Sequence, residues 1–166
     1  MRVMGIVGWK NSGKTGLVER LVQALTARGL TVSTIKNAHH SVDVDQPGRD
    51  SYRHRQAGAG QVLLASAHRW ALMTELRGAP APDLPMLLAE LAPCDIVLVE
   101  GFKRENHPKI EAYRAEAGHE LLAPGDPTIR AVASDTDLVL DRPVLHLDHT
   151  AQIADFVAKE AAPWPT

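Results

Sequence analysis

The stretch from Gly8 to Thr15 is the part of the chain whose residue types and spacing could bind phosphate. It reads Gly-Trp-Lys-Asn-Ser-Gly-Lys-Thr, the G-x-x-x-x-G-K-[ST] form of a phosphate-binding loop, in which backbone N–H groups surround phosphate oxygens. In such a loop the Lys14 ammonium neutralises β- and γ-phosphate charge, and the Thr15 hydroxyl ligates Mg²⁺. The candidate nucleotide-binding residues of this stretch are Gly8, Lys10, Asn11, Ser12, Gly13, Lys14, Thr15 and Gly16.

These residues contribute in different ways. Asn11 and Ser12 offer chiefly backbone N–H groups, whereas Lys10 either reaches a phosphate across a subunit boundary or simply faces solvent. The flanking sequence supports the loop, because a short β-like run precedes it (2–7) and a helical repeat follows it (13–28). Gly29 is suited to cap that helix, and Leu30 to Lys36 predicts a second, parallel strand. The helix N-terminus then adds its free N–H groups and dipole to the anion site.

A carboxylate that could position Mg²⁺ or its bound water is Glu100. It ends the apolar run from Asp95 to Gly101, which predicts a strand buried on both faces at the sheet centre. Asp95 begins that run, and five residues at about 3.3 Å each separate the two carboxylates by roughly 16 Å. Only one of them can therefore serve the phosphate edge, and we expect Glu100 to do so. Gly101 would allow the backbone to approach a terminal phosphate.

A polar loop, Asn37 to Gly48, follows the second predicted strand and is long enough to be functional or mobile. Within it, Asp43 and Asp45 either join a metal shell or are solvated. A short helix from Arg49 to Ala57 carries arginines that could clamp an anion, because guanidinium forks fit phosphate oxygens; a solvated basic face is the alternative. The arginines are Arg49, Arg53 and Arg55.

Histidine is abundant, with eight residues in the chain. His39 and His40 are the natural candidates for a metal site, but adjacent residues on extended chain point to opposite sides and rarely ligate one ion together. We therefore do not expect a dedicated histidine metal site.

The remaining sequence predicts an α/β fold: a P-loop NTPase-like domain with a mostly parallel central sheet, helices on both faces and an added antiparallel β-hairpin. The hairpin is expected at 61–66 and 69–74, a helix from Leu84 to Leu91, and further strands at 109–114, 129–133 and 143–147. A C-terminal helix carries Ile153, Phe156 and Val157, and the Pro-Trp-Pro segment at 163–165 is expected to be a frayed tail.

Composition sets the protein class. The 166 residues, 45% hydrophobic and 23% charged, suit a single domain, and the net charge of −2 argues against a broad nucleic-acid or anionic-membrane footprint. Cys94 is the only cysteine, which fits a reducing compartment. No stretch approaches the ~18 apolar residues of a membrane span, and the first apolar run meets Lys10 too early for a signal peptide. The expected location is the cytoplasm.

Several motifs coincide in one resemblance. The phosphate loop, the run from His39 to Ala59, the segment Val99 to Lys103 followed by Pro108 to Glu111, and the stretch Arg130 to Asp135 closely resemble the MobB family of molybdopterin-guanine dinucleotide biosynthesis adaptor proteins. The resemblance covers nearly the whole chain. It implies a GTP-binding homodimer with at most slow GTPase activity, acting beside the guanylyltransferase that converts molybdopterin cofactor to its guanine dinucleotide form. GTP and Mg²⁺ are the implied cofactors.

Two departures from familiar GTP-binding patterns bear on this expectation. The loop begins with the bulky Trp9, and no Asn-Lys-x-Asp guanine-reading motif occurs, so the guanine preference rests on family likeness. The stretch from Ser134 to Asp137 could supply a carboxylate to the base. No arginine finger or glutamine is identifiable near Gly101, and such a group is worth roughly 10³–10⁵ in rate, so we expect very slow hydrolysis.

Two alternatives remain open from the sequence. One is a small-molecule kinase in which the three arginines form a phosphate-clamping lid and Asp43 or Asp45 acts as base. The other is a metal-delivery GTPase in which His39 and His40 hold the cargo, although the absence of a cysteine pair counts against it.

Overall fold

The computed structural model describes residues 1–38 and 43–164, so His39 and His40 lie outside the described residues. By its contacts the chain divides into two compact units, one formed by Met1–Asn37 with the chain from Leu84 onward, the other by Ala38–Asp83. The single-domain expectation stays a prediction. In chain order the elements are β1 (Arg2–Val7), α1 (Lys14–Thr26), β2 (Val32–Lys36), α2 (Asp50–Gln56), β3 (Gln61–Ala65), β4 (Trp70–Thr74), α3 (Leu84–Ala89), β5 (Ile96–Glu100), β6 (Lys109–Tyr113), β7 (Ile129–Ser134), β8 (Val144–His146), α4 (Thr150–Glu160) and β9 (Ala162–Pro163).

The larger sheet belongs to the first unit and is mostly parallel. Its strands follow the order β2-β5-β1-β6-β7-β8, with every neighbour along this path parallel. The carboxyl ends of parallel strands meet at one edge of a sheet, where ligands of open α/β sheets bind. The phosphate loop after β1 and the acid at the end of β5 therefore emerge side by side.

Helices cover both faces of this sheet, as the sequence predicts. On one face Leu17, Leu21 and Leu25 of α1 are fully buried together with Ile153 and Val157 of α4. On the other face, α3 buries Leu84 and Leu88 against Val3, Val97 and Val99. Fully burying a leucine side chain contributes roughly 1.5–3 kcal/mol, so the α1 leucines fix the start of the helix, and with it Lys14, over the end of β1.

Strand β5 has the central, doubly buried position expected of it. It lies between β2 and β1, and all five of its residues are buried. Asp95, just before the strand, accepts 2.7 Å hydrogen bonds from the backbone N–H and hydroxyl of Thr31, and these bonds hold the pKa of Asp95 below its usual range. Asp95 thus closes the opposite edge of the sheet, which leaves Glu100 at the phosphate edge.

The expectation of a frayed C-terminal tail is wrong for the residues up to Trp164. Strand β9 pairs antiparallel with the start of β1, joining Ala162 to Val3 and Pro163 to Arg2. The side chain of Trp164 packs against the core beneath α3 and lies 6.1 Å from the His107 ring, centroid to centroid. The physical reason is that β6 pairs with β1 only from Gly5 onward, so the first β1 residues still have backbone groups to satisfy.

The second unit contains α2 and the predicted hairpin. Strands β3 and β4 pair antiparallel from Gln61 opposite Thr74 to Ala65 opposite Trp70. In the turn, the Ser66 backbone N–H donates to the Arg69 carbonyl at 2.9 Å. Among the described residues these two strands form a sheet of their own.

Candidate functional site

The phosphate loop has a backbone shape that its glycines make possible. Gly8 has φ 145°, and a Cβ at this position would lie 2.4 Å from the Ala112 carbonyl oxygen and 2.5 Å from Ser12 Oγ. Any side chain at position 8 would therefore collide with the Ala112 carbonyl oxygen and with Ser12, so only glycine lets the loop pass this close to β6 and fold over Ser12.

The far end of the loop leads directly into α1. Asn11 and Gly13 have φ values of 65° and 87°, an alternation of backbone hand that directs successive N–H groups toward one concave side. Helical bonding begins with the Leu17 N–H donating to the Gly13 carbonyl at 3.0 Å, so the N–H groups of the first turn have no acceptor within the helix. These donors lie at the positive end of the helix dipole, an arrangement suited to binding an anion.

Lys14 lies back across the loop that it follows. Its Nζ donates to the Trp9 carbonyl oxygen at 2.5 Å and lies 3.5 Å from Ser12 Oγ. Burial lowers the pKa of Lys14, and the nearby charges of Lys103 and Lys36 lower it further, while the Glu100 carboxylate raises it. Its ammonium is thus part of a group of charges that converges on the loop.

Thr15 and Glu100 meet as the sequence predicts. The Thr15 hydroxyl donates to Glu100 Oε1 at 3.0 Å. The Lys36 ammonium at the end of β2 lies 3.2 Å from the same carboxylate oxygen and 3.4 Å from the Thr15 hydroxyl. A hydroxyl and a carboxylate are the hard oxygen ligands that Mg²⁺ takes, and this pair already holds a cation. The donor set therefore fits Mg²⁺.

The loop after Glu100 has an unusual backbone. Gly101 and Phe102 have φ values of 95° and 51°, and a Cβ on Gly101 would lie 3.0 Å from Asn37 Cβ. The Gly101 N–H donates to the Ile6 carbonyl at 3.1 Å, so this donor is used by the sheet, and an approach of the Gly101 backbone to a terminal phosphate stays a prediction. Left-handed φ at a non-glycine such as Phe102 is a strain that tends to cluster at functional sites.

The other candidates of this stretch are less constrained. The Lys10 side chain is exposed, and a Cβ on Gly16 would meet only Arg20 Nη1 at 3.6 Å, an ordinary contact. Both residues stay predictions.

Arg49 and Arg53 belong to the second unit, and their role as an anion clamp stays a prediction. Arg49 Nε donates to the Gln46 side-chain oxygen at 3.3 Å, and Arg53 lies 3.9 Å from Asp50 with its side chain 75% exposed. Both guanidinium groups thus keep most of their donors available.

Arg55 departs from the expected clamp because three carboxylates surround it. Its guanidinium lies 2.9 Å from Asp43, 3.1 Å from Asp45 and 2.6 Å from Glu75. Its hydrogen bond holds the pKa of Asp43 below its usual range, which weakens that carboxylate as a base. Arg55 of α2 therefore connects the loop to the residue after β4, and the two acids considered for a kinase base or a metal shell, Asp43 and Asp45, are its partners.

A second cluster that the sequence does not reveal surrounds Trp9. The indole Nε1 donates to the Glu120 carbonyl at 2.8 Å, the His119 ring lies 5.6 Å away between centroids, and Lys103 Nζ lies 3.9 Å from the Trp9 ring centroid. The residues that contact Trp9 lie far from it along the chain. The only feature of the sequence that could have indicated this cluster was the large side chain of Trp9 within the loop.

The segment Ser134 to Asp137, which could supply a carboxylate to the base, makes some of its hydrogen bonds within the protein. Asp135 Oδ1 accepts the Ala115 N–H at 3.0 Å, and Ser134 Oγ donates to the Thr136 carbonyl at 2.7 Å. Base reading by this segment stays a prediction.

Within residues 1–38 and 43–164, no group of three or more His, Cys, Asp and Glu side chains is arranged to hold a metal ion. None of the helices in these ranges has the length and apolar character needed to cross a bilayer.

Comparison with known proteins gives one consistent family. The model of the family described as MobB, molybdopterin guanine dinucleotide synthesis protein B, matches residues 3–135. The molybdopterin-guanine dinucleotide biosynthesis adapter protein of Escherichia coli strain K12 is 43% identical over 162 residues, which cover 95% of this chain and 91% of that protein. The adapter protein of the same name from Haemophilus influenzae is 43% identical over 155 residues, 93% of this chain and 86% of that protein.

Solved structures agree with the fold. A MobB protein homolog from Bacillus stearothermophilus has a TM-score of 0.68 at 29% identity, with 96% of this chain and 97% of that chain covered. Bacillus subtilis MobB has a TM-score of 0.76 at 23% identity, with 99% and 100% covered; at that identity the likeness speaks for the fold alone.

Proposed function

Because the chain belongs to the MobB family of molybdopterin guanine dinucleotide synthesis proteins, we propose that it is a GTP-binding adaptor in molybdenum cofactor biosynthesis. It acts in the cytoplasm, binds GTP with Mg²⁺, and assists the guanylyltransferase that converts the molybdopterin cofactor to its guanine dinucleotide form. The adaptor role is carried over from the relatives, whereas nucleotide binding is supported by the chain's own residues.

The observation that carries nucleotide binding is the contact between Thr15 and Glu100. The hydroxyl that ends the phosphate loop donates to the carboxylate that ends the neighbouring strand, at 3.0 Å. The first-turn N–H groups of α1, the Lys14 ammonium and this oxygen pair provide the three components of a site for a nucleotide with Mg²⁺: anion donors, a mobile cation and metal ligands.

Hydrolysis of the bound nucleotide is slow at most. Residues 101–108 contain no glutamine to orient an attacking water, and the Gly101 N–H is already bonded to Ile6. A site that holds a triphosphate without a group to position water is a binding site first, which suits an adaptor.

The protein acts as a homodimer in this proposal, and the hairpin of the second unit supports a surface for a second copy. Leu63 and Leu72 face each other across the two strands, and Trp70 lies on the same sheet face; their exposed fractions are 60%, 42% and 66%. A two-stranded sheet is marginal on its own, and its edges present unpaired backbone groups. A second copy of the same hairpin would cover both features symmetrically.

Isothermal titration of GTP into the protein with Mg²⁺ tests nucleotide binding. We expect binding at one site per chain, weakened roughly 10- to 100-fold or more in Lys14→Ala, because a charge-assisted hydrogen bond to phosphate is lost. Lys159→Ala removes an exposed lysine from α4 and should leave the affinity unchanged. If the wild-type protein binds no GTP, or if Lys14→Ala binds as the wild type does, nucleotide binding at this loop is refuted.

A further inference from the structure

Trp9 is contacted by two lysines from different parts of the chain. Lys14 Nζ donates to its carbonyl oxygen at 2.5 Å, and Lys103 Nζ lies 3.9 Å from the centroid of its ring. The ring itself is held in place, since its Nε1 donates to the Glu120 carbonyl at 2.8 Å. Trp9 therefore fixes a second ammonium beside the phosphate loop by a cation–π contact.

Lys103 emerges at the edge of the sheet where the metal ligands lie. It follows Glu100 by three residues, after the two left-handed residues Gly101 and Phe102. Strand β5, which ends at Glu100, is paired with β1 through Ile6. The turn after β5 returns the chain to the phosphate loop, where Lys103 lines a cavity with Trp9, Glu120 and Leu122, whereas Thr15 and Glu100 line a separate one with Lys36.

The surrounding charges leave Lys103 without a strong anionic partner. Among the described residues no hydrogen bond or salt bridge is formed by its ammonium, and its contact is the Trp9 ring. Burial lowers the pKa of Lys103, with only the Glu111 charge opposing, and the carboxylate of Glu111 already accepts the N–H groups of Leu122 and Ala123. Both ammonium groups contact Trp9, Lys14 at its carbonyl oxygen and Lys103 at its ring, and the positive charge of Lys103 lowers the pKa of Lys14.

We propose that Lys103 carries a second phosphate-binding ammonium. When a nucleoside triphosphate binds, this ammonium moves away from the Trp9 ring and contacts the terminal phosphate. A cation–π contact at a partly exposed ring is weaker than a charge-assisted hydrogen bond to phosphate, so the exchange favours the nucleotide. Lys14 serves the β- and γ-phosphates, the first of which di- and triphosphates share, whereas Lys103 serves only the γ-phosphate. Lys103 thereby distinguishes the two nucleotides. This inference rests on the proposed nucleotide binding at the loop.

Titration of GDP and of a non-hydrolysable GTP analogue into wild-type and Lys103→Met protein tests the inference. Methionine keeps much of the side-chain length and removes the charge. We expect a loss of about tenfold or more in affinity for the triphosphate, the effect of one charge-assisted bond, and a change below about twofold for GDP. Arg104→Met is the matched control: it removes a charge from the next, exposed residue and should change neither affinity.

Tryptophan fluorescence gives a second readout. The triphosphate analogue should change the emission of the wild-type protein as the ammonium leaves the indole, and GDP should change it less. The difference should vanish in Trp9→Phe, which keeps Trp70 and Trp164. The inference is overturned if Lys103→Met weakens both nucleotides equally or neither of them, or if both nucleotides change the emission alike. Absence of any binding to the wild-type protein would instead overturn the proposed function as a whole.

Discussion

The carboxylate of Glu100 and the hydroxyl of Thr15 lie against the same cation in this structure, the ammonium of Lys36. The Glu100 side chain is only 12% exposed, and a carboxylate so little solvated needs a positive partner. Mg²⁺ carries twice the charge of an ammonium and prefers oxygen ligands. Arrival of the metal with a nucleotide would therefore displace Lys36 toward solvent, where its side chain is already more than half exposed.

At this scale Glu100→Gln should uncouple GTP binding from Mg²⁺. The amide keeps the shape of the side chain but loses the charge that favours the metal, and altered metal sites typically lose roughly 10- to 100-fold in metal affinity. Comparing GTP affinity with Mg²⁺ and with EDTA should show a large difference for the wild type and a small one for the variant. Asp95→Asn, at the other end of β5, should keep the wild-type difference; equal Mg²⁺ dependence in both variants would remove Glu100 from the metal site.

Residue pairs set by strand geometry were predictable here, whereas pairs set by long side chains were not. Glu100 ends β5, and Thr15 comes just after the loop that follows β1, the parallel neighbour of β5, so the two residues had to meet. Lys36 ends β2, but its ammonium could have pointed to solvent, and nothing local indicates that it contacts both oxygens. Arg55 has the same limitation: a basic helical face predicts no partner, yet Glu75, twenty residues away, contacts its Nε at 2.6 Å.

Among the elements, the hairpin β3–β4 carries the most exposed apolar surface relative to its size. Leu63, Trp70 and Leu72 occupy one face of a sheet with only two strands. Soluble chains rarely leave such a face uncovered, which is why we assign it to the second copy of a homodimer.

Leu63→Glu should therefore convert a dimer to a monomer, because it places an unpaired charge inside the proposed interface, at a cost of several kcal/mol. Light scattering coupled to size exclusion measures the mass, and circular dichroism checks that the variant is folded. Val139→Glu, on a fully exposed loop residue of the first unit, should leave the mass unchanged. A monomeric wild type, or a folded Leu63→Glu protein that remains dimeric, would contradict the assignment.

Most elements could be predicted because their signals are local. The two β-rich runs of the hairpin joined by a short turn, the leucine spacing of α1 and the apolar run of β5 are each recognisable within about a dozen residues. Strand β9 lacks such a signal, since it is two residues long and includes a proline. Its pairing depends on the first residues of β1, which are 160 positions away along the chain, and only the folded sheet shows that they need a partner.

For the whole molecule, the arrangement of residues favours nucleotide binding rather than nucleotide hydrolysis. We propose that the loop, the first turn of α1, Thr15 and Glu100 bind the nucleotide; in the second unit, Arg49 and Arg53 keep most of their donors available among the described residues. In the proposed function the protein retains GTP close to another ligand or enzyme, which requires nucleotide binding without rapid hydrolysis. The family to which the chain belongs acts in the synthesis of molybdopterin guanine dinucleotide.

A reconstituted guanylyltransferase reaction tests this central claim most directly. The measurement is the amount of guanine dinucleotide cofactor formed from molybdopterin cofactor, GTP and Mg²⁺ by a guanylyltransferase, with and without this protein. We expect the wild-type protein to raise the rate or yield, and Lys14→Ala, folded but impaired in GTP binding, to lose that effect. No stimulation by the wild-type protein, or equal stimulation by the variant, would contradict a nucleotide-binding adaptor.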